Sequence, residues 1–314
     1  MAIPSVDLAN FVHGDAAAKL QFVADLGQAY EDIGFVAVKN HGIPDTLIAQ
    51  LYTQVEQFFE LPFEVKATYE DPQLAGQRGY TSFGKEQAKG FATPDLKEFY
   101  QHGQMVTDDD HIKSEYPNNV VVQEVAGFTT TMNTLYRKFE ESGTHLLHAI
   151  ALYLNLPQHY FDEHIHNGNS ILRAIHYPPI TTEPKSAIRA EQHEDINLIT
   201  LLVGASADGL EVLDKQNEWH PAKAEPDEIV VNVGDMLQRL TNNKLRSTTH
   251  RVVNPPREMW HTHRYSIPFF LHPRSAMSLA ALDSCLPAGS AKHYPDCTAG
   301  EYLDERLREI GLKK

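Results

Sequence analysis

The sequence predicts a mainly β protein with flanking α-helices, and two observations carry that reading. The second half of the 314 residues holds several short runs rich in Ile, Leu, Val and Thr, bounded by Asn, Pro and Gly, as half-buried strands are. The first half and the far C-terminal end instead repeat their apolar residues at three- and four-residue spacings, which places them on one face of a helix. No Gly/Ser-rich or Pro-rich linker and no internal repeat divides the chain, so residues 1–314 are expected to form a single domain. Within it, 1–165 are expected to buttress a core at 166–275, and 276–314 to form an extension ending in a helix.

Taken in order, residues 16–33 read as an amphipathic helix with Asp15 as N-cap and Gly34 as its stop, and 44–61 as a second one opened by Pro44. Residues 123–155 read as a long helical stretch with Leu135, Phe139, Leu146, Leu147, Ile150 and Leu154 toward the core. Ile171 to Tyr177 reads as a strand, on which Arg173, Ile175 and Tyr177 share a face. Glu191 to Val203 reads as a further strand, so His193 and Asp195, two apart, point the same way. From Ile229 the chain runs VVNVGDMLQRL, turns at Thr241-Asn242-Asn243 and returns as KLRSTTHRVV. That is the grammar of a hairpin, with His250 on the returning strand. After a loop around Pro255 and Pro256, His263 to Leu271 reads as an apolar strand with Arg264 and Ser266 two apart. Thr298 and Glu301 form a capping box before a helix from Tyr302 to Ile310, which Gly311 stops.

Composition excludes some classes of function. A net charge of −15 repels phosphate, which argues against nucleic-acid and anionic-membrane partners. Nothing approaches the roughly 18 consecutive apolar residues of a membrane span, and no basic segment leads into an apolar core at the N-terminus, so neither a span nor a signal peptide is expected. The two cysteines, Cys285 and Cys297, do not suggest a disulfide framework, and a cytoplasmic location is expected. A small-molecule partner remains, with the oligomeric state open.

The polar residues point to chemistry. His193, Asp195 and His250 supply two imidazoles and one carboxylate, the set that holds non-haem iron(II) on one face and leaves the opposite positions open. Arg264 and Ser266 place a guanidinium fork and a hydroxyl on one strand face, which suits a carboxylate. A His-x-Asp pair alone arises by chance about once in a chain of this composition, and a second one, His13 and Asp15, falls at the N-cap already described. The metal reading rests on the combination with His250 and Arg264-x-Ser266. His261 and His263 lie beside a loop, His145 and His148 on the long helix, and His164 and His166 in a loop; these read as solvated or capping residues, and His41 as structural. Arg173 would be a buried guanidinium, too costly to leave idle. It pairs either with an internal acid or with an anionic substrate.

With these residues in place, the chain resembles the iron(II)- and 2-oxoglutarate-dependent oxygenase superfamily, in the branch typified by isopenicillin N synthase and the plant flavonoid and gibberellin oxygenases. Ile3-Pro4-Ser5-Val6-Asp7-Leu8 and the segment Asp32 to Ile43, with its Gly-Phe and Asn-His-Gly, look like the family's opening. Arg78-Gly79-Tyr80 and Asp95-Leu96-Lys97-Glu98-Phe99 are similar to signatures on its substrate side. His176-Tyr177-Pro178-Pro179 resembles its Tyr-Tyr-Pro motif, and Gly234-Asp235 through His250-Arg251-Val252 matches the hairpin carrying the distal histidine.

The resemblance implies a double-stranded β-helix, the cupin-like jelly-roll, over 166–275. It implies iron(II) on His193, Asp195 and His250, 2-oxoglutarate on Arg264 and Ser266 with Tyr177 assisting, and molecular oxygen as oxidant. The activity implied is hydroxylation or desaturation of a small molecule, bearing a carboxylate if Arg173 meets it. The interval from His250 to Arg264 is a few residues longer than the branch's usual one, with the excess in a loop at Pro255 to His261. The run His193-Glu194-Asp195-Ile196-Asn197-Leu198-Ile199-Thr200 is close to the isopenicillin N synthase form, so an oxidase that uses oxygen without 2-oxoglutarate is the first alternative. A non-catalytic binding protein on the same scaffold is the second.

Overall fold

The computed structural model describes residues 3–87, 90, 93–204, 208–287 and 289–309. Its strands are β1 (Ser5–Asp7), β2 (Phe35–Lys39), β3 (Gly79–Thr81), β4 (Glu98–Gly103), β5 (Ile171–Tyr177), β6 (Ala190–His193), β7 (Ile199–Val203), β8 (Leu210–Leu213), β9 (Trp219–Pro221), β10 (Glu228–Val233), β11 (His250–Val252) and β12 (Arg264–Leu271). They form an eight-stranded sheet in the order β1-β2-β10-β7-β12-β5-β4-β3 and a four-stranded sheet in the order β6-β11-β8-β9. The helices are α1 (Leu8–Val12), α2 (Ala16–Asp32), α3 (Asp45–Phe59), α4 (Phe63–Ala67), α5 (Phe128–Tyr153), α6 (Asp162–Ile165), α7 (Asp235–Leu240) and α8 (Ala299–Glu309). This is a jelly-roll core with flanking helices, and the N-terminal strands β1 to β4 are hydrogen-bonded into its larger sheet.

Period-two alternation assigns the two faces of that sheet. Ile199, Leu201 and Val203 of β7 and Ile267, Phe269 and Leu271 of β12 join the apolar core under α5, where Phe269 stacks on Phe139 with centroids 5.2 Å apart. Thr200, Leu202, Arg264, Ser266 and Phe270, one residue out of phase, line a cavity on the opposite face. The helices thus bury one face of the sheet and leave the other to the site. The expected N-caps hold: Asp15 accepts from Ala18 N at 2.9 Å, and Thr298 and Glu301 cap α8 reciprocally, although α8 starts at Ala299 rather than Tyr302. Ile310 and Gly311 lie outside the described residues.

Two expectations are corrected. Glu191 to Val203 is not one strand but β6 and β7, which belong to different sheets. The crossing between them is pinned by amides at the start of α7: Gly234 N donates to Leu198 O (2.9 Å), Asp235 N to Asp195 O (2.7 Å) and Met236 N to Asn197 O (3.1 Å). Likewise, Ile229 to Val252 is not a hairpin, because β10 lies in the large sheet and β11 in the small one. Met236, Leu237 and Leu240 recur at helical spacing and are buried, so the segment after Gly234 bends into α7. The turn at Thr241-Asn242-Asn243 is present, with both asparagines left-handed at φ 49° and 69°, a conformation Asn tolerates.

Among the described residues no helix is long and apolar enough to cross a membrane. Cys285 and Cys297 are free thiols.

Candidate active site

His193 ends β6 and His250 begins β11, and the antiparallel register sets them directly opposite, with ring centroids 4.5 Å apart. Asp195 lies on the crossing segment, so chain direction rather than strand phase brings it in; its Oδ1 is 3.8 Å from His250 Nε2. One donor atom from each of the three lies within 4.8 Å of the others.

The atoms that do not face this centre are engaged elsewhere. His193 Nδ1 donates to Glu191 O at 2.6 Å and His250 Nδ1 to Thr248 O at 3.1 Å, which leaves each Nε2 with its lone pair toward the centre. Asp195 Oδ2 accepts from Thr200 Oγ1 (2.6 Å) and Asn232 Nδ2 (2.8 Å), and Asn197 Nδ2 in turn donates to Thr200 Oγ1 at 2.9 Å. Burial alone would raise the Asp195 carboxyl, but the facing imidazoles of His250 and His193 and these hydrogen bonds hold it below its ordinary value. Burial, and then His250, push His193 down to about 4. At neutral pH the centre therefore presents a neutral His193 imidazole and an ionised Asp195, as ligation of a divalent iron requires. The donor set and its supporting bonds fit iron(II).

Arg264 and Ser266 lie on the cavity face of β12, and Arg264 pairs across the strands with Tyr177. The guanidinium carbon sits 4.9 Å over the Tyr177 ring, and Arg264 Nε donates to Asp208 O at 3.3 Å. The longer interval after His250 is taken up by a loop with one 3₁₀ turn, Arg257–Met259, before β12 begins at Arg264. A second buried guanidinium, Arg189, was not anticipated. It approaches the same tyrosine ring at 6.0 Å and donates to Thr262 O at 3.1 Å. Burial, and then the charge of Arg264, depress it to about 10.

Arg173 projects from β5 into the cavity, which has a volume of about 460 Å³. It meets an internal acid: Nη1 donates to Glu86 at 3.2 Å and Nε to Gln101 at 2.8 Å, while its guanidinium lies 4.2 Å from the Phe99 centroid and 5.2 Å from that of Phe270. Lys97 extends the row, 2.7 Å from Glu86 and 2.8 Å from Asp95. Burial opposes ionisation of Glu86, but Arg173 and Lys97 outweigh it and lower the carboxyl to about 2. The wall thus carries two cations and two anions. Glu86 was missed because a lone acid in a polar loop carries no sequence signal of burial.

Arg78 and Tyr80 are not on the cavity side, contrary to the expectation from the family signature. Tyr80 pairs with Tyr100 in the core under α5 and donates to Glu98, while Arg78 packs against Gly103. Asp95 and Lys97 of the neighbouring signature do line the cavity. His41 is structural, accepting from Ile43 N at 3.2 Å. His263 bonds His176 at 2.8 Å, and His176 bonds Glu98 at 2.7 Å. His148 bonds Asp162 at 2.7 Å.

Comparisons with known proteins agree with this geometry. Residues 168–273 match the family described as the 2OG-Fe(II) oxygenase superfamily, and residues 3–124 match the N-terminal region of the non-haem dioxygenase in morphine synthesis. A proline hydroxylase, buaE of Petromyces alliaceus, is 35% identical over 98% of this chain and 99% of its own. A solved putative 2OG-Fe(II) oxygenase family protein from Caulobacter crescentus superposes with TM-score 0.88 at 40% identity, covering 98% of this chain and 99% of that one. A full-length Neurospora crassa protein, solved in complex with alpha-KG and thymine, superposes with TM-score 0.86 at 30% identity, covering 98% and 96%. Cavity, donor set, fold and relatives converge, and this chain belongs to the iron(II)- and 2-oxoglutarate-dependent oxygenase superfamily.

Proposed function

We propose that this oxygenase hydroxylates or desaturates a small polar molecule bearing a carboxylate, that His193, Asp195 and His250 hold its iron, and that Arg264 and Ser266 hold the far carboxylate of 2-oxoglutarate beside Tyr177. The observation that carries the substrate reading is the wall of Arg173, Glu86, Lys97 and Asp95 facing the cavity. Iron(II) with 2-oxoglutarate and oxygen supplies the oxidising power to break a C–H bond, while the oxoacid is converted to succinate and carbon dioxide.

The chain's own part is positioning. Thr200 and Asn232 fix the Asp195 carboxylate, the backbone carbonyls of Glu191 and Thr248 fix the two imidazole tautomers, and Phe99 and Phe270 hold the Arg173 guanidinium flat. Because Glu86 already neutralises Arg173, a carboxylate alone would compete with it. A substrate that also carries an N–H or ammonium group satisfies both, its carboxylate toward Arg173 and its donor toward Glu86. Relatives named for proline and solved with thymine act on or bind small nitrogen-bearing rings, which supports this class. The Neurospora protein, solved with alpha-KG, favours 2-oxoglutarate use over the oxidase and non-catalytic alternatives.

The test is succinate formation by iron-loaded protein across amino acids, cyclic imino acids, pyrimidines and phenolic acids, followed by Arg173→Met with the best substrate. The variant is expected to raise the substrate KM at least tenfold while leaving slow uncoupled 2-oxoglutarate decay near its original rate. Equal loss of both activities would assign Arg173 to the fold or the cosubstrate.

A further inference from the structure

We propose that His148, His159 and Asp162 form a second divalent transition-metal site, best suited to zinc, that ties the C-terminal half of α5 to α6. His148 comes from α5, His159 from the turn that follows, and Asp162 from the first position of α6. His148 Nε2 lies 2.7 Å from Asp162 Oδ1 and His159 Nδ1 lies 2.9 Å from Oδ2. The two rings are edge to face at 77°, with centroids 4.6 Å apart. One donor atom from each residue falls within 4.8 Å of the others. This is the same inventory as at His193, Asp195 and His250, on a different part of the fold.

The chemistry suits zinc. Imidazole nitrogen binds zinc at about 2.0–2.1 Å and carboxylate oxygen at about 2.0–2.2 Å, so neighbouring ligands in a tetrahedron stand roughly 3.3 Å apart. The present 2.7 and 2.9 Å separations run to different oxygens of Asp162, so each would open by about half an ångström and the carboxylate would turn to face one ion with both imidazoles. Each imidazole would move its hydrogen to the ring nitrogen facing away and bind through the other, and any imidazolium would release one proton. His148 is held in place by burial within α5, with side-chain exposure of 10%, whereas His159 is 67% exposed and gives the ion its entry.

Affinity should be lower than at the first site. There, each histidine is oriented by a backbone carbonyl and the aspartate by two side chains; here no such bond reaches the far nitrogens of His148 and His159 among the described residues. Missing outer partners cost about 10- to 100-fold in metal affinity. Imidazole and carboxylate donors with few constraints favour zinc, nickel or copper over iron(II), following the general affinity order of divalent metals.

The experiment is calorimetric titration of zinc(II) into metal-free full-length protein. Wild type is expected to bind two equivalents, the second about 10- to 100-fold more weakly. His159→Ala should bind one equivalent, the tighter, and keep its iron- and 2-oxoglutarate-dependent turnover. His193→Ala should bind one equivalent, the weaker, and the double variant none. Zinc binding should also raise the melting temperature of His193→Ala but not of the double variant. Identical stoichiometry in wild type and His159→Ala overturns the proposal, as does a His193→Ala protein that binds no zinc. A His193→Ala protein that still binds two equivalents, with His159→Ala binding one, supports this second site and contradicts the histidine assignment at the first.

Discussion

Thr200 holds Asp195 by a 2.6 Å hydrogen bond from its hydroxyl to Oδ2, which leaves Oδ1 toward His250. Thr200→Val keeps the shape and removes the donor. It is expected to weaken iron(II) binding about 10- to 100-fold with little change in melting temperature. Anaerobic iron titration checks this, and an affinity equal to wild type would show that Asn232 alone orients the carboxylate.

Gly234 approaches Asn197 so closely that a Cβ would lie 2.3 Å from the Asn197 backbone oxygen and 2.3 Å from its Oδ1. Asn197 supports Thr200, and Thr200 supports Asp195. Gly234→Ala should therefore displace the crossing segment and lower iron affinity at least as much as Thr200→Val. It is also expected to cost stability, typically about 1–3 kcal/mol for overpacking. Retained affinity and retained melting temperature together would mean that the segment moves aside freely.

Two buried histidines and the half-buried His193 set a pH dependence for the metal-free protein. Burial is the leading cause of each depression, and His102, His193 and His272 all fall to about 4, against about 6.5 in an unfolded chain. Between these values the unfolded state binds more protons than the native one, so stability rises with pH in that window. It is complete above about pH 6.5 and is lost as pH falls toward 4, by on the order of 3 kcal/mol for each histidine. Urea unfolding at pH 7.0, 6.0 and 5.0 should show the decline, and iron(II) at neutral pH should add stability. A flat profile from pH 7.0 to 5.0 would contradict the neutral state assigned to these rings.

The gathering of His193, Asp195 and His250 beside Arg264 and Ser266 was legible because two imidazoles, one carboxylate and a following Arg-x-Ser are rare together and chemically specific. The way Asp195 reaches the site was not. Local pattern favours one continuous strand through Glu191 to Val203, and only the amides of Gly234, Asp235 and Met236, about 40 residues away, turn the chain from one sheet to the other. The hairpin reading of Ile229 to Val252 failed for a related reason: Val233 and Leu237, four apart, suit either period, and tertiary burial of Met236 and Leu240 decides for α7. Arg173 could be placed on the cavity face from strand phase. Its partner Glu86 could not, since a charged residue in a loop reads as solvated until the fold encloses it.

The most direct measurement is anaerobic addition of 2-oxoglutarate to the iron(II) protein, followed in the visible spectrum. Chelation of the oxoacid by iron held on His193, Asp195 and His250 is expected to give a charge-transfer band in wild type and none in His250→Ala. Arg264→Ala should need roughly 10- to 150-fold more 2-oxoglutarate to reach the same band, the equivalent of about 1.5–3 kcal/mol for a charge-assisted contact. A band of wild-type intensity in His250→Ala, or no band in wild type at millimolar 2-oxoglutarate, would contradict the assignment of this centre.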